Sequence, residues 1–397
     1  MAPAEDRRWA ARTTPRAGRA RPWARDPRRA YREDMRVLVA MSGGVDSSMA
    51  AALLVEQGHD VTGVHLKMAD TPSGLPGKGC CTLDDARDAR RVADLLGIPY
   101  YVWDLSTPFR ARVVDDFVAE YAAGRTPNPC VRCNERVKYS ALLQRARAMG
   151  FDALATGHHV RLRHDAGRWR LRRAVDRDKD QTYVLYMATQ EQLAHTVWPV
   201  GEHTKPALRR MAGERGLVTA TKPDSHDICF IPSGDLGGFL RPRLGHRPGP
   251  IVDPDGRTLG RHDGAYLFTV GQRRGLGIAG TDHPLYVTGI DGDVVRVGPR
   301  ELLETARVLA TAVSWVAGTA PRRREVAAQV RYRGRPLPAT VTDDGAGRVQ
   351  VEFREERPVG VAPGQAVVVY DGDECLGGGT IDAATPARAM VDSAARS

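Results

Sequence analysis

The stretch from Met35 to Val55 constrains this chain more than any other. Val37 to Met41 is an apolar run that reads as a buried strand. It passes straight into Ser-Gly-Gly-Val-Asp-Ser-Ser, residues 42–48. Met49 to Val55 then reads as a helix that buries much of its surface. A strand, a glycine-rich turn and a helix start in that order belong to an α/β layer. Gly43 and Gly44 let backbone N–H groups come close to an anion, and the helix start adds partial positive charge. Ser42, Ser47 and Ser48 add hydroxyl donors, and Asp46 suits either a Mg²⁺ ion or the orientation of a loop amide. No lysine lies in the loop, which separates it from the GxxxxGK[ST] nucleotide loop. A plain glycine turn is the simpler alternative, but SGGVDSS is longer and more particular than such a turn needs.

This loop resembles the pyrophosphate loop of the ATP pyrophosphatase superfamily, whose members split ATP into AMP and pyrophosphate while adenylating a substrate. The resemblance implies ATP and Mg²⁺ as cofactors. It also implies a nucleotide site built from Ala40, Met41, Ser42, Gly43, Gly44, Val45, Asp46, Ser47 and Ser48.

A chain of 397 residues has room for two or three domains. No apolar run reaches the roughly 18 residues of a membrane span, so no membrane partner is expected. The net charge of +10 suits a polyanionic partner, although the skew to 52 Arg against 6 Lys weakens arginine abundance as evidence for nucleic acid. Six cysteines argue against a secreted disulfide scaffold and for thiol chemistry or metal in a reducing cytosol. Residues 1–34 carry ten Arg and five acids without apolar periodicity and read as a disordered extension. A transit peptide, a nucleic-acid-binding arm, or a translation start at Met35 are the other readings of that stretch.

After Gly58, Asp60 to Leu66 is a second strand. Leu66 at its end is placed either against an adenine, beyond the carboxyl edge of a parallel sheet, or in the core. Thr82 caps a helix with Asp85 in its first turn, running to Gly97. PYYVWDL is a third strand, and a further helix ends at Gly124. Strand and helix alternate, so the fold class is α/β with a doubly wound parallel sheet.

Cys130 and Cys133 form a CxxC in the loop Gly124 to Ser140. Taken alone, this pair fits a zinc half-site, a redox pair or an iron–sulfur ligand set. No second CxxC follows, and Arg125, Arg132, Arg136 and Lys138 surround the thiols, which favours thiolate. Cys80 and Cys81 stand together before a helix cap and read as structural. Cys229 is remote, in DSHDICFI, so any partner it has is spatial. Adenylation plus cysteines makes one coherent reaction: a carbonyl oxygen is activated as an adenylate, and sulfur displaces AMP.

SGGVDSS, TPNPCVRCN, LATGHH, KDQTYVL, DSHDICFI, GQRRGLGI, VRYRG and APGQAVVVY occur in that order along nearly the whole chain. Together they resemble the bacterial tRNA-specific 2-thiouridylases, which make 2-thiouridine at the tRNA wobble position. The resemblance implies that Cys133 is the catalytic cysteine and that Cys229 carries a persulfide. A Cys133–Cys229 disulfide would be left to be reduced. It implies nucleotide contacts at Leu66 and Gly157, and tRNA contacts at His158, Lys179, Asp180, Gln181, Arg331, Tyr332 and Gln365. Some members have Asp where this chain has Cys130, which leaves Cys130 as a bystander, a substitute, or an iron–sulfur ligand with Cys133 and Cys229. His159, often an aromatic position in the family, is assigned nothing.

Val160 to Ala174 alternates about a DAG turn and reads as a hairpin whose arginine face suits phosphate or solvent. Glu202 to Leu217 is an amphipathic helix with Pro206 in its first turn. Gln272, Arg273 and Arg274 form a basic loop suited to a phosphate backbone. From Tyr286 on, short alternating strands with DG turns suggest a small barrel. Cys375, in one such turn, reads as incidental. The expected domains are an adenine nucleotide α-hydrolase-like catalytic domain over 35–210, a central tRNA-binding domain over 211–285, a β-barrel over 286–385, and a tail over 386–397. The expected protein is a monomeric cytoplasmic sulfurtransferase that takes sulfur from a cysteine desulfurase or a relay protein. The rival functions are an amide- or guanidine-forming ligase with the same ATP loop, an iron–sulfur-dependent tRNA thiolase, and a non-catalytic tRNA-binding protein.

Overall fold

The computed structural model describes residues 34–68, 82–224, 228–231, 234–280, 283–321 and 325–388. The expectations for the N-terminal extension and for Cys80 and Cys81 fall outside them.

The first sheet contains β1 (Arg36–Ala40), β2 (Asp60–Lys67), β3 (Tyr100–Asp104) and β4 (Ala153–Ala155). After a hairpin of β5 (Val160–Asp165) and β6 (Arg168–Arg173), β7 (Thr196–Val197) completes it. All pairs are parallel, in the order β3-β2-β1-β4-β7. The chain thus builds outward from β1 in one direction and returns to its other side at β4. That reversal opens a crevice beyond the carboxyl ends of β1 and β4, where α/β sheets take their ligands. The near-continuous burial of Val37, Leu38 and Val39 reflects a strand covered on both faces. The helix α1 (Val45–Glu56) follows the serine-glycine loop, and α2 (Leu83–Leu96) starts at Thr82, the expected cap, with Asp85 returning a bond to complete a reciprocal cap.

A four-stranded sheet follows, made of β8 (Gly249–Val252), β9 (Thr258–His262), β10 (Tyr286–Asp291) and β11 (Val294–Gly298). Ile251, Phe268, Leu276, Val287, Val295 and Val297 form its core. The remaining strands are β12 (Thr305–Trp315), β13 (Glu325–Gln329), β14 (Leu337–Asp343), β15 (Val349–Phe353), β16 (Ala366–Asp371) and β17 (Glu374–Pro386). They run antiparallel in the order β12-β15-β14-β13-β16-β17, and β17 pairs back onto β12. Closure removes the free edges that an open sheet of this size would expose. By strand pairing, the change from central sheet to barrel falls between Gly298 and Thr305.

The hairpin β5–β6 lies in the first half of the chain but pairs through β6 with β17 of the barrel, Leu171 opposite Cys375. Its arginine face is turned to protein acids. Arg161 and Arg172 both reach Asp373, at 2.6 Å each, and Arg170 reaches Glu374 at 2.8 Å. These arginines clasp two domains together instead of waiting for phosphate. Cys375 is fully buried at this seam, and burial pushes its thiol far above the ordinary range. It is core, and chemically inert.

Candidate active site

The serine-glycine loop organises itself first. Ser47 Oγ accepts the Ser42 N–H at 3.1 Å and donates to the Gly44 carbonyl at 3.1 Å, and Ser48 Oγ donates to the same carbonyl at 2.9 Å. The hydroxyls of Ser47 and Ser48, expected as anion donors, are therefore used to shape the loop. The donors left for an anion are the first amides of α1, which have no acceptor inside a helix. Two glycines are sterically required. A Cβ on Gly43, with φ +75°, would lie 2.3 Å from the Asp85 carbonyl oxygen. A Cβ on Gly157, just past β4, would lie 2.5 Å from the Ser47 nitrogen. Backbone from β4 thus closes onto the loop after β1, at the point where the strand order reverses. Leu66 is buried near the end of β2, on the same carboxyl edge.

Asp46 is held by two side chains from distant elements. His159 Nε2 lies 3.0 Å from Oδ1, and Lys205 Nζ lies 2.7 Å from Oδ2. Burial pushes the Asp46 carboxyl up, but the His159 and Lys205 interactions outweigh it and hold the group below the usual carboxylate range. A carboxylate engaged at both oxygens by N–H donors does not suit a divalent cation, so the Mg²⁺ reading of Asp46 does not fit this arrangement. Among the described residues, no three His, Cys, Asp or Glu side chains gather in a group fit for a metal. Cys130, Cys133 and Cys229 are all described, so the donor set for a cluster is not assembled either.

The network continues past Lys205. Its ammonium also reaches Asp224 Oδ1 at 2.8 Å, and Asp224 takes Arg209 at 2.8 Å and Lys179 at 3.0 Å. Burial works against the charged form of Asp224, yet Lys205 and Lys179 hold its carboxyl far below the ordinary range. Two residues earlier, Lys222 reaches Asp85 and Asp88 on α2, at 2.7 Å each.

Asn128 caps the short helix Pro129–Cys133, accepting from the Cys130 and Val131 amides. Cys130 is exposed and Cys133 buried, its Sγ 3.8 Å from the Met68 sulfur at the end of β2. The arginines read as thiolate-stabilising are spent elsewhere. Arg125 pairs with Glu120 and Asp382, Arg132 with Glu135 and Asp116, and Arg136 with Asp116. Their charge is neutralised at source, so they organise the loop more than they activate it. The barrel completes the docking. Gln365 donates to the Thr126 carbonyl at 2.8 Å, and Thr126 donates to the Pro363 carbonyl at 2.7 Å.

Cys229 is half-buried in a turn. Phe230 beside it packs edge-on against Phe117 and Phe109, and Ile231 is buried with Leu240 and Tyr266. Asp116 and Phe117 are neighbours on one helix, so that helix holds the Cys130–Cys133 helix through Asp116 and the Cys229 turn through Phe117.

The residues expected on tRNA divide. Gln181 accepts from the His159 amide at 2.8 Å and bonds to Tyr332, whose phenol is raised by burial first and by nearby Cys130 second. Gln181, Tyr332 and Cys130 are thus brought together from three parts of the chain. Asp180 faces inward, taken by Arg173, the Ala174 amide and Thr182. His158 is buried on Tyr139 and Thr156, and burial lowers its pKa well below the usual value, so the ring is neutral. Arg331 donates to the Val359 carbonyl. Lys205 and Met68 were not singled out by sequence reading, and His159 was assigned no role. The one available signal was Lys205 in the first turn of a helix, where a cation opposes the helix dipole.

Family models match almost the whole described chain. They are the tRNA methyl transferase HUP domain over residues 35–233, the tRNA methyl transferase PRC-barrel domain over 237–297, and the aminomethyltransferase beta-barrel domain over 305–381. The tRNA-specific 2-thiouridylase MnmA of Thermobifida fusca (strain YX) is 53% identical over 352 residues, covering 87% of this chain and 95% of the relative. That of Mycolicibacterium vanbaalenii is 55% identical over 362 residues, covering 88% and 100%. Among solved structures, a 4-thiouridine synthetase–RNA complex with bound ATP is 14% identical, with a TM-score of 0.32 over 53% of this chain and 50% of that one.

Proposed function

The chain belongs to the tRNA-specific 2-thiouridylases, a family of tRNA sulfurtransferases, and we propose that it thiolates the 2-carbonyl of the tRNA wobble uridine at the expense of ATP. The uridine O2 attacks the α-phosphorus of ATP, the bond to the β-phosphate breaks, and pyrophosphate leaves. The amides at the start of α1 stabilise the anion that departs. The terminal sulfur of a Cys229 persulfide then attacks C2 and expels AMP. Cys133 thiolate attacks Cys229 Sγ, the persulfide bond breaks, and the electron pair stays on the sulfur now bound to C2. The products are 2-thiouridine and a Cys133–Cys229 disulfide, which a cellular dithiol reduces in the cytoplasm. The base must leave its stack to reach the crevice. Sulfur reaches Cys229 from a cysteine desulfurase or a relay protein. Gln181, Tyr332, Arg331, Lys179, Gln365 and His158 serve the tRNA side, with Asp180 shaping the loop beneath them.

The observation that supports this reading best is the place of Cys133. Its thiol is buried beside Met68 at the carboxyl end of β2, on the sheet edge that also carries the serine-glycine loop. The test is thiolation with ATP, tRNA, desulfurase and cysteine, read as AMP released and 2-thiouridine in digested tRNA. Cys133→Ala and Cys229→Ala each abolish the thiouridine. 2-Thiouridine that still forms in Cys229→Ser would sink the persulfide step, and wild-type enzyme that makes no thiouridine under these conditions would favour an amide-forming ligase.

A further inference from the structure

We propose that Asp224, bonded to Lys205 and through it to Asp46 of the nucleotide loop, is a positioning residue that sets where Cys229 meets the activated base. The inference rests on the function proposed above and deepens it.

Lys205 is 7% exposed and opens the helix Lys205–Glu214, where a cation opposes the helix dipole. Two carboxylates from distant parts of the chain, Asp46 at 2.7 Å and Asp224 at 2.8 Å, hold it there. A buried ion pair is a poor way to gain stability, because desolvation offsets much of the attraction. What it does supply is a fixed distance between the two acids. Asp224 is further fixed by Arg209 and Lys179. Lys222 binds Asp85, whose carbonyl abuts Gly43 at the other end of the nucleotide loop. Lys222-Pro223-Asp224 is therefore stapled to both walls of that loop, with a proline stiffening the span. Five residues after Asp224 comes Cys229, its neighbours Ile228, Phe230 and Ile231 sunk into the aromatic cluster of Phe117 and Tyr266. The residues flanking Cys229 are held by apolar packing, and Asp224, five positions before it, is held by ion pairs that reach the nucleotide loop. Weakening the ion pairs misplaces the sulfur without removing the phosphate-binding amides.

The experiment uses full-length enzyme preloaded with persulfide, ATP and tRNA in single turnover. Asp224→Asn is expected to slow 2-thiouridine formation at least tenfold, while the burst of pyrophosphate and the KM for ATP stay within about twofold of wild type. Inorganic sulfide, which reaches the adenylate without Cys229, restores the product. Lys205→Met slows thiolation to a similar degree, and the Asp224→Asn/Lys205→Met pair loses little more than either alone. Lys205→Arg keeps more than half the rate. Pyrophosphate and thiouridine falling in parallel, or Asp224→Asn behaving as wild type, would overturn the proposal. Should Asp224→Asn fail to fold, the comparison of Lys205→Met with Lys205→Arg decides it. A wild-type enzyme that releases no pyrophosphate with tRNA refutes the proposed function instead.

Discussion

The nucleotide loop is shaped mainly by its own residues: Ser42, Gly44, Ser47 and Ser48 bond to one another within a single turn. The loop carrying Cys130 and Cys133 takes its placement from the barrel, through Gln365 reaching back 239 positions to Thr126. One is a local device whose geometry follows from glycine freedom and a helix start. The other is a junction, held by Arg125 to Asp382, Arg132 to Thr380 and Gln365 to Thr126. Anion binding needs only backbone amides in a row, which seven residues can supply. Sulfur transfer needs two thiols and a base at one point, which distant elements must assemble.

The largest expected effect breaks the local half. Gly43→Ala places a Cβ against the Asp85 carbonyl at a positive φ, which costs on the order of 3 kcal/mol or more. Pyrophosphate release should fall at least a hundredfold, and ATP binding measured by calorimetry should be lost with it. Gln365→Ala breaks the junction instead. Losing one bond to the Thr126 carbonyl should cost about 1–2 kcal/mol. Thiolation should drop about tenfold while the Kd for ATP does not change; a weakened Kd would mean that the two halves are not separable.

Asp373→Asn tests the clasp between hairpin and barrel. Asp373 receives Arg161 and Arg172, so the variant should unfold in urea about 1–3 kcal/mol more easily. The gap should narrow in high salt. The smallest effect is one of pH. The folded-state pKa of Asp224 lies below its unfolded value, so its stabilisation is complete above about pH 4 and is lost as pH falls further. Burial works against the charged form of Lys222, but its own partners Asp85 and Asp88 raise it overall, so the contribution of that separate pair survives until strongly alkaline pH. The stability gap between wild type and Asp224→Asn should therefore be flat from pH 5 to 9 and shrink below pH 4.

Much of the fold can be read in one dimension. The Thr82–Asp85 cap, the helix ending at Gly97 with φ +65°, and the hairpin about residues 166–167 are local signals, and each appears where it was expected. The alternation of β10 and β11 marked them as strands but carried no information on which sheet they join. The arginines of β6 and of the CxxC loop looked like phosphate or thiolate partners because acids hundreds of residues away were invisible beside them. Lys205 was missed for the same reason, since nothing near it in sequence mentions Asp46.

The SGGVDSS loop, the parallel α/β layer and the reactive cysteine types were determined by sequence alone, because φ preferences, helix starts and side-chain chemistry act over a few residues. Tertiary structure decided who neutralises whom. It closed Asp46 with His159 and Lys205, turned the hairpin arginines onto Asp373, and seated the cysteine loop on the barrel. Ion pairing and burial depend on distance in space, and only the folded chain sets that distance.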